Sequence, residues 1–216
     1  MNAQLQHLVE RSFEFHKAVH DHVDTLEPAG SLRAEIAFDA GLLTLEHSTA
    51  ALELIESGRT SSAIALMRPQ FEALVRGVWL AHAASDLWVE KLSQPLTLAA
   101  QRQANEGPML AEMLKQLEAA ADSPAHIVGQ LKEYRDVSWK VLNSFSHGGI
   151  HPLTRNVTGY PPKLVYDALR NSNAVLALAT QLVTIMTGDE VNMLPVRLFH
   201  QEFGDCLPIV HAGRPT

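Results

Sequence analysis

Cysteine is all but missing from this chain: Cys206 is the single one in 216 residues. A lone thiol closes no internal disulfide, which excludes the cross-linked frameworks of small secreted domains. Positive charge is also scarce. Seventeen Lys and Arg stand against 24 Asp and Glu, for a formal net charge of −7, so no global positive field is available to hold a polyanion. Nonspecific nucleic-acid binding is therefore disfavoured. Long apolar runs are absent too, since the longest, Ala174 to Met186, is interrupted by Thr180, Gln181 and Thr184 and is too short for a bilayer. The first residues are acidic and histidine-rich, where a secretory signal needs a basic start and an apolar run. Together these absences lead to the expectation of a cytoplasmic protein with no membrane partner.

What is present is an ordinary globular composition, 46% hydrophobic and 19% charged, in a length that suits one domain with a real core. Leu5, Leu8, Phe15, Val19, Val23 and Leu26 follow the 3-4 spacing of an amphipathic helix that ends before Pro28. A second helix opens after Ser31 as N-cap and stops at Gly58. From Ser61 to Ala84 the chain is apolar almost all round, the mark of a central helix. Pro69 lies inside that run, which predicts a kink or a restart there. Ser85 to Leu92 reads as a short helix or turn, and Ser93 to Gly107 as a loop or short helix around Leu96 to Ala104. Further helices are predicted from Pro108 to Ala121, from Ser123-Pro124 to the glycines Gly148-Gly149, and from Leu164 to Thr187. His151 to Tyr160 reads as a loop. The fold class expected is all-α: a bundle of about six helices around a kinked apolar one. Residues 1–216 should form a single domain, with 189–216 a partly irregular tail docking through Leu198, Phe199 and Phe203.

Three features could carry chemistry. Arg68, Glu72 and Arg76, spaced i, i+4, i+8, set one carboxylate between two guanidiniums on a single stripe of the apolar helix. Such a stripe is either an internal ion network that fixes helix register or an anion pocket in which Arg68 or Arg76 binds phosphate or carboxylate. At the end of the Ser123-to-Ser146 helix, Lys140, Asn143, Ser144 and His147 share one flank, with His151 just beyond. The partial negative charge of a helix C-terminus favours the imidazolium form of His147, which suits either a C-terminal cap or a general acid–base group. The third feature is His16, His20 and Asp24 at i, i+4, i+8, with His22 and His47 nearby. Two His four apart can share a metal, yet neither an H-E-x-x-H nor a Glu-x-x-His pattern accompanies them. Solvated histidines beside an apolar stripe are the alternative, and no metal or other cofactor is expected. Cys206, in the tail with no neighbouring His, is not read as a nucleophile.

The segments Arg68-Pro69-Gln70-Phe71-Glu72-Ala73-Leu74-Val75-Arg76 and Ser144-Phe145-Ser146-His147-Gly148-Gly149 resemble a group of uncharacterised bacterial helical proteins. That group shares an arginine-proline-x-x-glutamate helix and a later serine-x-x-histidine helix end. The second segment also distantly resembles the HEPN helical-bundle ribonucleases, whose motif has an arginine shortly before a histidine; here the matching place ahead of His147 holds Lys140. The resemblance implies metal-independent RNA cleavage, with His147 as acid–base group and Lys140 or a pocket arginine stabilising the phosphorane. It would further imply a toxin or phage-defence setting.

Two expectations follow. The first is a non-enzymatic, homo-oligomeric (dimeric) ligand-binding or interaction module whose small anionic ligand meets Arg68, Glu72, Arg76, Ser144 and His151. The second is the HEPN-type ribonuclease, with RNA as its partner and His147 and Lys140 as its catalytic groups.

Overall fold

The computed structural model describes residues 2–95, 97–98 and 107–208. Among these residues every regular element is helical, and there are nine α-helices where the sequence suggested about six. The stretch around Leu96 to Ala104, expected to be a loop or short helix, falls largely outside the described residues.

Helix α1 (Ala3–Val23) begins where the Asn2 side chain accepts the Leu5 N–H at 2.9 Å, and α2 (Leu32–Glu56) where Ser31 accepts that of Ala34 at 3.2 Å. These caps satisfy donors that the first helical turn leaves open. Helix α3 (Thr60–His82) occupies the centre, touching α2, α5 (Leu110–Ala119), α6 (Ala125–Ser146), α7 (Ile150–Thr158) and α8 (Pro162–Ile185). Its far end is closed from outside: Arg33 of α2 donates to the carbonyls of Leu80 and Ala84 at 2.5 and 2.9 Å and pairs with Asp86 at the start of α4 (Asp86–Leu92). A cation belongs there, where carbonyls are unpaired and the helix dipole is negative.

The buried apolar side chains form one cluster that runs from Leu5 in α1 to Cys206, with Phe15, Phe71, Leu74 and Trp79 fully enclosed. Gly77 lets the central helix sit tightly against two neighbours. A Cβ there would meet Leu182 Cδ2 at 2.6 Å, Ala40 Cβ at 3.2 Å and the Ala37 carbonyl at 3.3 Å.

Two expectations need correction. Helix α3 runs unbroken through Pro69, without the restart that a mid-helix proline suggested. The stretch read as a loop, His151 to Tyr160, contains α7, a helix with no buried residue. Its amphipathic pattern was too short to outweigh the flanking glycines and prolines. The described part of the tail consists of a 3-10 turn (Glu190–Asn192), α9 (Met193–Glu202) and a second turn (Gly204–Cys206). It docks through Val196, Phe203 and Cys206, all buried, with Phe199 against Phe15, whereas Leu198 faces solvent.

Candidate functional site

The proline that should have broken α3 explains why two distant motifs meet. Pro69 has no N–H, so the carbonyl of Ala65, four residues earlier, has lost its helical donor. Ser146, the last residue of α6, supplies a substitute: its Oγ donates to the Ala65 carbonyl at 3.3 Å. The next residue, His147, faces Arg68, whose Nη1 lies within hydrogen-bonding reach of Nε2. A guanidinium only donates, so Nε2 is the acceptor in this arrangement. Gly148, at φ 63, then turns the chain out of α6 in the left-handed conformation that glycine tolerates.

Arg68 is the hub. Its Nε donates to Glu72 at 3.1 Å, its guanidinium lies 5.0 Å over the Trp139 ring, and its side chain is only 20% exposed. Trp139 in turn stands edge-on to Phe71, which also packs on Tyr134 at 4.5 Å. Burial raises the Tyr134 phenol well above its ordinary pKa, keeping it protonated. One guanidinium is thus held by a carboxylate, a cation–π contact and an imidazole.

The remaining candidates divide. Arg76, half-buried one turn beyond Glu72, has no ion pair or hydrogen bond among the described residues. Glu72 therefore does not bridge two arginines, as the spacing suggested; it pairs with Arg68 alone. Lys140 is exposed and makes no hydrogen bond to His147 or Arg68 among the described residues. Ser144 closes the turn locally, accepting the His151 N–H at 3.2 Å, and the His151 ring stacks on Phe145 at 6.3 Å. Asn143 Oδ1 is buried without a hydrogen-bond partner among the described residues. Arg68, Glu72 and His147 are brought together, then, with Arg76 beside them, while Lys140, Ser144 and His151 are not.

His16 of α1 has a different role from either one foreseen. His16 is buried, not solvated, and both ring nitrogens are occupied: Nε2 lies 3.2 Å from Asn173 Oδ1 and Nδ1 3.4 Å from Thr49 Oγ1. Asn173 spends its amide N–H groups on Ser12 Oγ at 2.8 Å and the Cys206 carbonyl at 3.2 Å. Its Oδ1 therefore accepts, and His16 carries its proton on Nε2. Thr49 also receives His20 Nε2 at 3.0 Å. Nearby, Gln70 of α3 donates to Ser48 Oγ at 2.6 Å and to the Ser172 carbonyl at 2.9 Å, and Ser172 Oγ donates back to Gln70 at 3.0 Å. Desolvation, opposed by the Asn173 hydrogen bond and reinforced by His20, lowers the His16 pKa to about 4. Among the described residues no group of three or more His, Cys, Asp or Glu could hold a metal. Ser12, Gln70 and Asn173 escaped sequence reasoning, because a polar residue on an apolar face shows no sign of its partner.

These features define an all-helical protein whose central helix carries a half-buried arginine–glutamate pair docked against a histidine helix end. The chain belongs to the family of unknown function DUF6988, whose model matches residues 41–209. The matched span holds the whole Arg68–His147 cluster and excludes α1 with its histidines. No curated protein and no solved structure matches the chain. No described helix is long and apolar enough to cross a membrane.

Proposed function

We propose that this protein is a helical ligand-binding module that captures a small carboxylate or phosphate at the α3–α6 face, with Arg76 as the capturing cation. The supporting observation is the contrast between two arginines one stripe apart. Arg68 is saturated by Glu72, His147 and Trp139, whereas Arg76 is half-buried and unpaired among the described residues. A partly desolvated guanidinium without a partner is destabilising in the free protein, and an anion that supplies a bidentate partner recovers that loss. Thermal unfolding with inorganic phosphate, AMP or succinate tests the reading. At least one should raise Tm for the parent, and Arg76→Ala should abolish the rise while keeping the helical circular dichroism spectrum. If none of the three stabilises the parent, or if Arg76→Ala responds equally, the site is not a ligand site.

A second reading, metal-independent ribonuclease, is favoured by one contact, the arginine–histidine pair of Arg68 and His147 at an exposed helix end. In that reading His147 is the acid–base group and Arg68 takes the place assigned to Lys140. Incubation with labelled single-stranded RNA in the presence of a chelator should give cleavage that His147→Ala removes. Intact RNA, or cleavage indifferent to His147→Ala, ends this reading.

A further inference from the structure

Among the described residues two surfaces of opposite chemistry have no occupant. The first is α7, where Ile150, Leu153 and Val157 are 74, 66 and 87% exposed. At spacings of i, i+3 and i+7 they form a single aliphatic stripe along the helix. This helix lies in a run, 137–166, that contains no Asp or Glu in a chain of 24 such residues. Arg155 on the helix and Lys140 close by on α6 supply its positive character, and neither has a carboxylate partner among the described residues. The second surface is a groove of about 430 Å³ between α1 and α2, floored by Val23, Leu42 and Leu45 and rimmed by Asp24, Glu46 and Glu53. The three carboxylates are exposed and unpaired among the described residues.

Helix α7 packs on α6 and α3, and the groove is built from α1 and α2, so a chain cannot seat its own α7 in its own groove in this fold. An amphipathic helix laid into an apolar groove is a standard recognition mode, read through i, i+3, i+7 anchors. We infer that α7 of one copy docks into the α1–α2 groove of a second copy, its aliphatic stripe on the leucine floor and its cations against the acidic rim. The occupant is a second copy because both halves of the contact, apolar and electrostatic, are present on this chain with opposite sign. The contact is heterologous, linking different patches on the two partners, so it propagates head to tail until a ring closes. This inference is independent of the Arg76 site.

Sedimentation and light scattering on the full chain test it through complementation. Leu153→Asp spoils α7 and leaves the groove intact; Leu42→Arg spoils the groove and leaves α7 intact. Both positions are exposed, and circular dichroism checks that the fold survives. The parent should self-associate, more weakly at high salt, and each variant alone should associate roughly tenfold or more weakly. An equimolar mixture of the two should form a capped one-to-one dimer, because one sound α7 and one sound groove remain. A parent that stays monomeric at every soluble concentration overturns the inference. So does association that Leu153→Asp abolishes and Leu42→Arg leaves untouched, which would be a symmetric α7–α7 contact. Variants that fail alone and also fail to complement overturn it equally.

Discussion

Acidification should loosen this protein through His16 before its carboxylates are protonated. The ring is 3% exposed and held between Asn173 and Thr49, and its pKa falls from 6.5 to about 4 on folding. Between those values the unfolded chain binds the proton and the folded one does not, so stability rises with pH across the window and drains away as pH falls. With 1.36 kcal/mol per pKa unit, the loss relative to neutral pH is about 2 kcal/mol at pH 5 and about 3 kcal/mol at pH 4. That is a sizeable fraction of the roughly 5–15 kcal/mol that holds a domain together. His22 and His82 have pKa values lowered by burial and contribute in the same direction, so the parent alone does not isolate His16. The comparison needed is urea unfolding of the parent and His16→Gln at pH 7, 6, 5 and 4. The variant starts less stable but should lose about 2–3 kcal/mol less than the parent over that range, and the two curves should converge. Parallel curves would show that His16 titrates normally and that the buried network is not closed to the proton.

The Pro69 junction predicts a coupled pair. Ser146→Ala should cost about 0.5–1 kcal/mol in the parent and nearly nothing after Pro69→Ala, which restores the missing donor to the Ala65 carbonyl. Strict additivity in chemical denaturation would mean that the 3.3 Å contact carries no energy. Gly77→Ala should lose about 1–3 kcal/mol, because the Ala37 carbonyl and Ala40 on α2 cannot retreat as Leu182 can; an unchanged Tm would mean the helices are free to part. Arg76→Met should raise Tm by about 2–4 °C in the absence of ligand, as removal of an unpaired half-buried charge predicts. A fall would point to a structural partner for Arg76.

Periodicity made the long helices legible, because α1, α2, α3, α6 and α8 each repeat apolar residues over several turns and end at Asp24, Gly58, Ala83, Gly148 and Gly188 or close by. The short helices were harder to read. Helix α7 spans nine residues with two flanking turns rich in Gly and Pro, and those local signals outweigh so brief a pattern. At the site, the arginine stripe could be read because i, i+4 geometry is intrinsic to a helix, and it correctly set Arg68 beside Glu72. What spacing could not reveal is the partner from elsewhere in the chain. Nothing local to Ser146 says that its hydroxyl meets the carbonyl that Pro69 orphans, and nothing local to His16 says that Asn173 lies across from it. The same blindness produced the Lys140 expectation, since shared helical flank is necessary for convergence and not sufficient.

The tail deserves to be seen in the order in which the chain is made. Helix α1 emerges first, yet Arg11 waits for Asp205 and the Glu202 carbonyl, Phe15 for Phe203, and the polar line through Asn173 for the Cys206 carbonyl. Residues beyond 200 must therefore be made before that helix can find the last of its permanent neighbours, although α2 meets it early through Thr49. Until then the Arg11 and Phe15 flank stays within reach of water, chaperones and proteases, so clipping the chain just ahead of Phe203 should be felt in α1.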